Sequence, residues 1–275
     1  MPKKLSFVKM QGLGNDFIVV NALKQPFAAS PTQITQWCDR HFGVGADQVL
    51  VIQPSKKADF KMAIYNADGG EVEMCGNGIR CVADYLVRHG MTKKRKFGIE
   101  TAAGVMHPQV LQKGVWVDMG EPVLEAEKIP TTRSGHILRE PLQISGNTFE
   151  VTCVSLGNPH CVIFEEQERQ YDVAHWGPQL ERHAWFPKRT NVEFVWVVSP
   201  KEINVRVWER GAGLTLACGT GACASVVAAV LNKRTQRQVK VNLLGGSLHV
   251  EWDKKSNHVW MRGPAQEVFQ GEIEI

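Results

Sequence analysis

Short runs of β-branched and aromatic residues, broken by glycine turns, dominate the chain. Residues 5–10, 17–20, 48–52 and 58–66 read as strands, and so do 97–101, 105–110 and 115–119. Further runs follow at 149–154, 161–164, 191–198, 203–208, 238–243, 248–252 and 258–261. Helical spacing is confined to four places. Ser30-Pro31-Thr32 opens a short helix to about Arg40, with Ser30 as N-cap and Pro31 at its first position. A second helix covers 172–182. The other two each follow a Cys-Gly-x-Gly turn, at 75–78 and 218–221; the first is interrupted only by the charges of Arg80, Asp84 and Arg88, and the second carries none. A short helix with so few charges is wrapped by protein on most sides.

Those two turns belong to a larger correspondence. Glu73-Met74-Cys75-Gly76-Asn77-Gly78-Ile79-Arg80-Cys81 is echoed by Leu216-Ala217-Cys218-Gly219-Thr220-Gly221-Ala222-Cys223, at an offset of 143 residues (218 − 75). At the same offset Gly14-Asn15 meets Gly157-Asn158, Gln48 meets Asn191, and Asn66 meets Glu209. Four separated blocks in one register, without a gap, indicate an internal duplication. The expected architecture is therefore α/β (α+β): two pseudo-symmetric domains, each a largely antiparallel curled sheet or barrel around a central helix, with the active site in the cleft between them. The expected boundaries are 1–119 and 120–264, with the tail 265–275 returning to the first half.

Composition adds little. At 275 residues, 43% hydrophobic, 22% charged and a net charge of +4, the chain has ordinary globular values and no basic stripe, so a nucleic-acid partner is not expected. There is no apolar run of the ~18 residues needed to span a bilayer and no signal-like segment, so a cytoplasmic location without a membrane partner is expected. The seven cysteines form no C-x-x-C pair. For Cys38, Cys81, Cys153, Cys161 and Cys223 the ordinary role is a small buried hydrophobe. No P-loop, dinucleotide fingerprint or metal-ligand cluster is present, so neither a cofactor nor a metal is expected.

Cys75 and Cys218 differ from the rest by position. A cysteine at the start of a helix sits where unspent backbone N–H groups and the macrodipole favour negative charge, which lowers the thiol toward neutrality. The flanking glycines let backbone N–H groups approach a ligand, and a carboxylate is the natural guest. Two such units facing one α-carbon suit stereochemical inversion, one thiolate removing a proton and the opposite thiol delivering another.

The sequence resembles the diaminopimelate epimerases. The resemblance is carried by Gly-Leu-Gly-Asn-Asp-Phe at 12–17, Gly-Ala-Asp-Gln at 45–48, Asn-Ala-Asp-Gly at 66–69 and the Cys75 motif at 73–81. It continues with Gly-Asn-Pro-His at 157–160, Trp-Glu-Arg-Gly at 208–211 and Ala-Cys-Gly-Thr-Gly-Ala-Cys-Ala at 217–224. It implies a cofactor-independent, PLP-independent epimerase interconverting LL- and meso-2,6-diaminopimelate in lysine and peptidoglycan precursor biosynthesis, working as a homodimer. It implies Cys75 and Cys218 as the base and acid pair, with His160, Glu209 and Gln48 near the reactive centre. Gly76, Asn77, Gly219 and Thr220 would hold the reacting carboxylate, and Asn15, Asn66, Asn158, Asn191, Glu209 and Arg210 the rest of the substrate. The alternatives are a related two-cysteine racemase with another substrate, or a non-enzymatic relative on the same fold. Glu209-Arg210 argues against proline, which offers no distal ammonium or carboxylate.

Overall fold

The structure, a computed structural model, describes residues 4–166 and 172–275. The chain divides into two compact units, Met1–Asp118 with Arg262–Ile275, and Met119–Met261.

In the first unit, β1 (Lys4–Gly12) and β2 (Asn15–Asn21) form a hairpin across the turn at Leu13-Gly14. Helix α1 (Pro31–Cys38) begins where Ser30 and Gln33 close a capping box. It leads to β3 (Gln48–Gln53) and β4 (Phe60–Asn66), with β2 and β3 parallel and β3 and β4 antiparallel. Helix α2 (Gly76–Arg88) follows, then β5 (Ile99–Thr101), β6 (Gly104–Met106), β7 (Gln109–Leu111) and β8 (Gly114–Asp118). The single strand expected over 105–110 is two, because the segment breaks at His107-Pro108, where proline offers no N–H to a ladder.

The second unit opens with β9 (Glu140–Ile144), an element the hydrophobic pattern does not announce, paired with β10 (Asn147–Ser155). Next come β11 (Pro159–Phe164), helix α3 (Val173–Glu181) capped by Asp172, β12 (Asn191–Ser199), β13 (Glu202–Glu209) and the short β14 (Gly213–Thr215). Helix α4 (Gly219–Leu231) and strands β15 (Gln238–Leu243), β16 (Gly246–Trp252) and β17 (Val259–Gly263) complete it. Within this unit the sheet runs β9-β10-β11-β12-β13-β15-β16-β17, with β14 added to β13.

The last strand, β18 (Gln266–Glu274), pairs antiparallel with β1 and forms the edge of the first unit's sheet, ordered β18-β1-β2-β3-β4-β5-β6.

The duplication extends to hydrogen-bond register. Phe17 stands opposite Gln48 in the parallel pair β2–β3, and His160 opposite Asn191 in β11–β12. Val49 stands opposite Tyr65, and Val192 opposite Trp208. Every one of these partners is displaced by the same 143 positions, as are both ends of α2 and α4. Helix α2 packs against β1, β2, β3, β7, β8 and β18, and α4 against β10–β13, β15 and β16. Ten of the thirteen residues of α4 are buried, which is why it carries no charge.

Candidate functional site

The candidate residues fall into two half-sites, one per unit, each organised around the first turn of a cysteine-capped helix.

In the first unit Cys75 is the N-cap of α2, and its Sγ accepts the Gly78 N–H at 3.3 Å. The first intrahelical bond runs from Ile79 N to the Cys75 carbonyl at 2.9 Å, so the N–H groups of Gly76 and Asn77 precede the ladder. Asn15, at the start of β2, joins the group through its amide oxygen. That oxygen accepts from Asn77 Nδ2 at 3.1 Å and from the Cys75 thiol at 3.7 Å. The amide cannot turn, because its Nδ2 donates to Asp47 Oδ2 at 2.7 Å. Asp47 in turn shares Arg40 with Asp16, which also holds the buried Lys9 at 2.7 Å. Burial alone would raise the Asp16 carboxyl, but hydrogen bonds and charge from Arg40 and Lys9 outweigh it and hold it down at about 2. Gln48 and Asn66 bind one another, Nε2 to Oδ1 at 2.8 Å, across the β3–β4 ladder.

In the second unit Cys218 caps α4 and is 6% exposed. Its Sγ lies 3.5 Å from Thr220 Oγ1, which accepts from Asn158 Nδ2 at 3.2 Å. Asn158 Oδ1 faces His160 Nε2 at 2.9 Å, and His160 Nδ1 faces Glu193 Oε1 at 2.7 Å. His160 and Glu193 are both wholly buried. Burial pushes the Glu193 carboxyl above the ordinary range, against the pull of His160.

The thiol of Cys218 departs from the sequence expectation. It is pushed well up rather than lowered, by burial first and then by the charges of Glu209 and Glu193. A helix terminus offers about half a unit charge. Desolvation together with two carboxylates exceeds that, so Cys218 rests as a thiol.

The remaining residues of this half form a second group. Asn191 is buried and joins the start of β11 to the turn after β13, its Nδ2 donating to the Pro159 carbonyl and its Oδ1 accepting the Arg210 N–H, both at 2.9 Å. Glu209 Oε1 accepts from Thr215 Oγ1 at 2.6 Å. Arg210 is exposed, with Nη1 3.5 Å from the Lys188 carbonyl. The loop that carries these two is held from behind by Glu181 on α3, which accepts from Trp208 Nε1 at 2.9 Å and from the Gly211 N–H at 3.1 Å.

Three residues that matter here were not singled out by the sequence. Glu193 left a signal, a lone carboxylate inside an apolar strand. Asp47 stood in the Gly-Ala-Asp-Gln stretch with nothing to tie it to Asn15, 32 residues away, and Glu181 left no signal, Gly211 lying 30 residues away. The asymmetry that separates the two halves at Gln48/Asn191 and Asn66/Glu209 also holds at Phe17/His160, Asp47/Thr190 and Leu50/Glu193.

Comparison with known proteins agrees with this layout. The family model for diaminopimelate epimerase matches residues 7–125 and 152–268. A diaminopimelate epimerase from Pelotomaculum thermopropionicum is 52% identical, with 98% of each chain covered. One from Heliobacterium modesticaldum is 48% identical over 98% of this chain and 100% of its own. Among solved structures, a hydroxyproline epimerase from Agrobacterium vitis with bound trans-4-OH-L-proline shares the fold at a TM-score of 0.73 and 13% identity, covering 100% of this chain and 94% of that one. A methylitaconate-delta-isomerase shares it at 0.63 and 14%, covering 100% and 96%. The fold is thus common to several isomerases, whereas the sequence match runs nearly end to end with one of them: the chain belongs to the diaminopimelate epimerase family.

Proposed function

We propose that the protein interconverts LL- and meso-2,6-diaminopimelate by removing the α-proton with one cysteine and returning a proton to the opposite face with the other. The observation that carries this is the pair Cys75 and Cys218, each capping the helix that its half repeats in the same register.

The roles follow from the chemistry of each half-site. N–H groups at the start of α2 and α4, those of Gly76, Asn77, Gly219 and Thr220, are placed to receive the reacting carboxylate. An α-proton beside a carboxylate is far less acidic than a thiol, so stabilising the carbanion is the main task. Preorganised donors supply roughly 3–4 kcal/mol each toward it. Cys218, resting as a thiol, is the proton donor when Cys75 is the base; the reverse reaction exchanges the roles. His160 and Glu209 serve the reactive centre. Arg210 and the amides of Asn15, Asn66, Asn158 and Asn191 suit the distal carboxylate, and Glu209 the distal ammonium. The inequality of the halves at Asn66/Glu209 lets the site tell one end of a two-centred substrate from the other.

We further infer a cytoplasmic homodimer serving lysine and peptidoglycan precursor synthesis. In support, no helix among the described residues is long and apolar enough to cross a membrane.

The test is incubation of the reduced protein with LL-diaminopimelate in D2O. Meso product carrying one solvent deuterium at the inverted carbon is expected. A folded, reduced sample giving neither product nor exchange would overturn the assignment and turn attention to other amino acids, hydroxyproline among them.

A further inference from the structure

Both halves tie the same two positions to their cysteine, but in a different order. In the first, Asn15 Oδ1 accepts from both Asn77 Nδ2 and the Cys75 thiol, whereas in the second Asn158 reaches Cys218 through Thr220. The two arrangements are anchored differently. Asn15 is held by Asp47, at the exposed end of an ion network. The equivalent of Asp47 is Thr190, whose hydroxyl is spent on the Asn191 carbonyl at 3.1 Å, so Asn158 must be held by something else.

What holds it is a pair of buried side chains that the first half lacks. Phe17 and Leu50, both fully buried, occupy the places of His160 and Glu193. His160 Nε2 must carry a hydrogen, because Asn158 Oδ1 only accepts; the amide is oriented by its other end on Thr220. One proton then lies between Nδ1 and Glu193 Oε1. The glycine of the helix turn brings the same carboxylate beside the cysteine. A Cβ on Gly221 would sit 2.7 Å from Glu193 Oε1 and 3.4 Å from Cys218 Sγ. Glu193 therefore reaches Cys218 twice, through the chain His160–Asn158–Thr220 and directly across Gly221.

We propose that Glu193 is a positioning residue for Cys218. It fixes the ring of His160, and through it the Asn158–Thr220 relay, and its carboxyl group beside the helix turn keeps Cys218 in the thiol form. Together with Glu209, it distinguishes two cysteines that occupy equivalent places in the duplication. The titratable groups facing Cys218 are Glu209, Glu193 and, one step behind, His160.

This rests on the reading of Cys218 as a reacting thiol, and the decisive experiment needs no substrate. Alkylation of Cys218 and Cys75 by iodoacetamide is followed against pH by the mass of their peptides, in the unsubstituted protein and in Glu193→Gln, which keeps the shape and removes the charge. The pH of half-maximal rate at Cys218 is expected to fall by about one unit, with Cys75 unmoved. A Cys218 curve in folded Glu193→Gln that superimposes on the unsubstituted one overturns the proposal. Should Glu193→Gln not fold, the double variant His160→Phe, Glu193→Leu decides by the same measurement. It installs the apolar pair that the first half already packs, leaving no buried charge unpartnered. Failure of the D2O experiment with an intact alkylation shift would sink the epimerase reading and leave this one standing.

Discussion

Leu50 and Glu193 hold the same place in the two halves, each against the glycine one turn inside its cysteine-capped helix. Gly78 faces the methyl groups of Leu50 and Gly221 faces Glu193 Oε1. One position thus presents an apolar wall to the first cysteine and a carboxylate to the second.

The two glycines are accordingly unequal in what they tolerate. A Cβ on Gly221 would meet Glu193 Oε1 at 2.7 Å, an oxygen already committed to His160. On Gly78 it would meet Leu50 carbons at 3.2 Å, which a small rotation relieves. Gly221→Ala is expected to cost about 2–3 kcal/mol. For Gly78→Ala the overpacking is partly offset by the better helix propensity of alanine, leaving a loss of about 1 kcal/mol or less. Urea unfolding of both variants measures the difference, and equal losses would contradict the packing described.

Cys75→Ala and Cys218→Ala should each abolish inversion, because each removes one of two proton carriers. Meso product from LL substrate is the measurement. Substantial turnover by either variant would be incompatible with a two-thiol reaction.

The intact cysteines should also react unequally. Cys75 is half-buried, whereas Cys218 is buried and its thiol is pushed well above the ordinary value by burial and two carboxylates. At pH 7.5 iodoacetamide should modify Cys75 at least about tenfold faster, since only the thiolate attacks. Peptide mapping at short times checks this.

Glu181 supports the loop bearing Glu209 and Arg210. Glu181→Ala would strand the indole N–H of Trp208 and the N–H of Gly211, at a cost of about 2–3 kcal/mol. Because the loop rather than the cysteines is loosened, KM should rise more than kcat falls. A variant with unchanged KM would remove Glu181 from this role.

Acid should weaken the first unit through Asp16. Its carboxyl lies at about 2 in the folded protein against 3.8 for the free group. A depressed carboxyl contributes stability above its unfolded value and loses it as pH falls through the folded one. The expected window is from about pH 4 down to about pH 2. Asp16→Asn should flatten the melting temperature across that window while lowering it at pH 7, where Lys9 loses its partner. Parallel curves for the two proteins would count against the assignment.

The duplication, the two cysteine-capped helices and the asparagines beside them were legible because each repeats a short local pattern. A capped turn followed by an apolar run is written in consecutive residues. Other features were not legible because they are made by residues far apart. Asp47 fixes Asn15 from 32 positions away. Strand β9 lacks a clear alternation, its first two residues being Glu140-Pro141. Glu193 sits in a strand whose first six residues are all buried, so alternation gave no clue to which side it faces. The thiol of Cys218 could not be anticipated from the helix end alone, since its shift depends on carboxylates brought in by β12 and β13.

The pairing of β1 with β18 bears on the order in which the polypeptide can mature. Lys4 and Glu272 are joined although 268 residues separate them. On the ribosome, β1 emerges long before the strand that covers its edge, and until then it presents open backbone groups. The second unit is drawn from one continuous stretch and has no such wait. The half encoded later should therefore be the first to settle, while the earlier half stays exposed to misassociation until its final strand arrives.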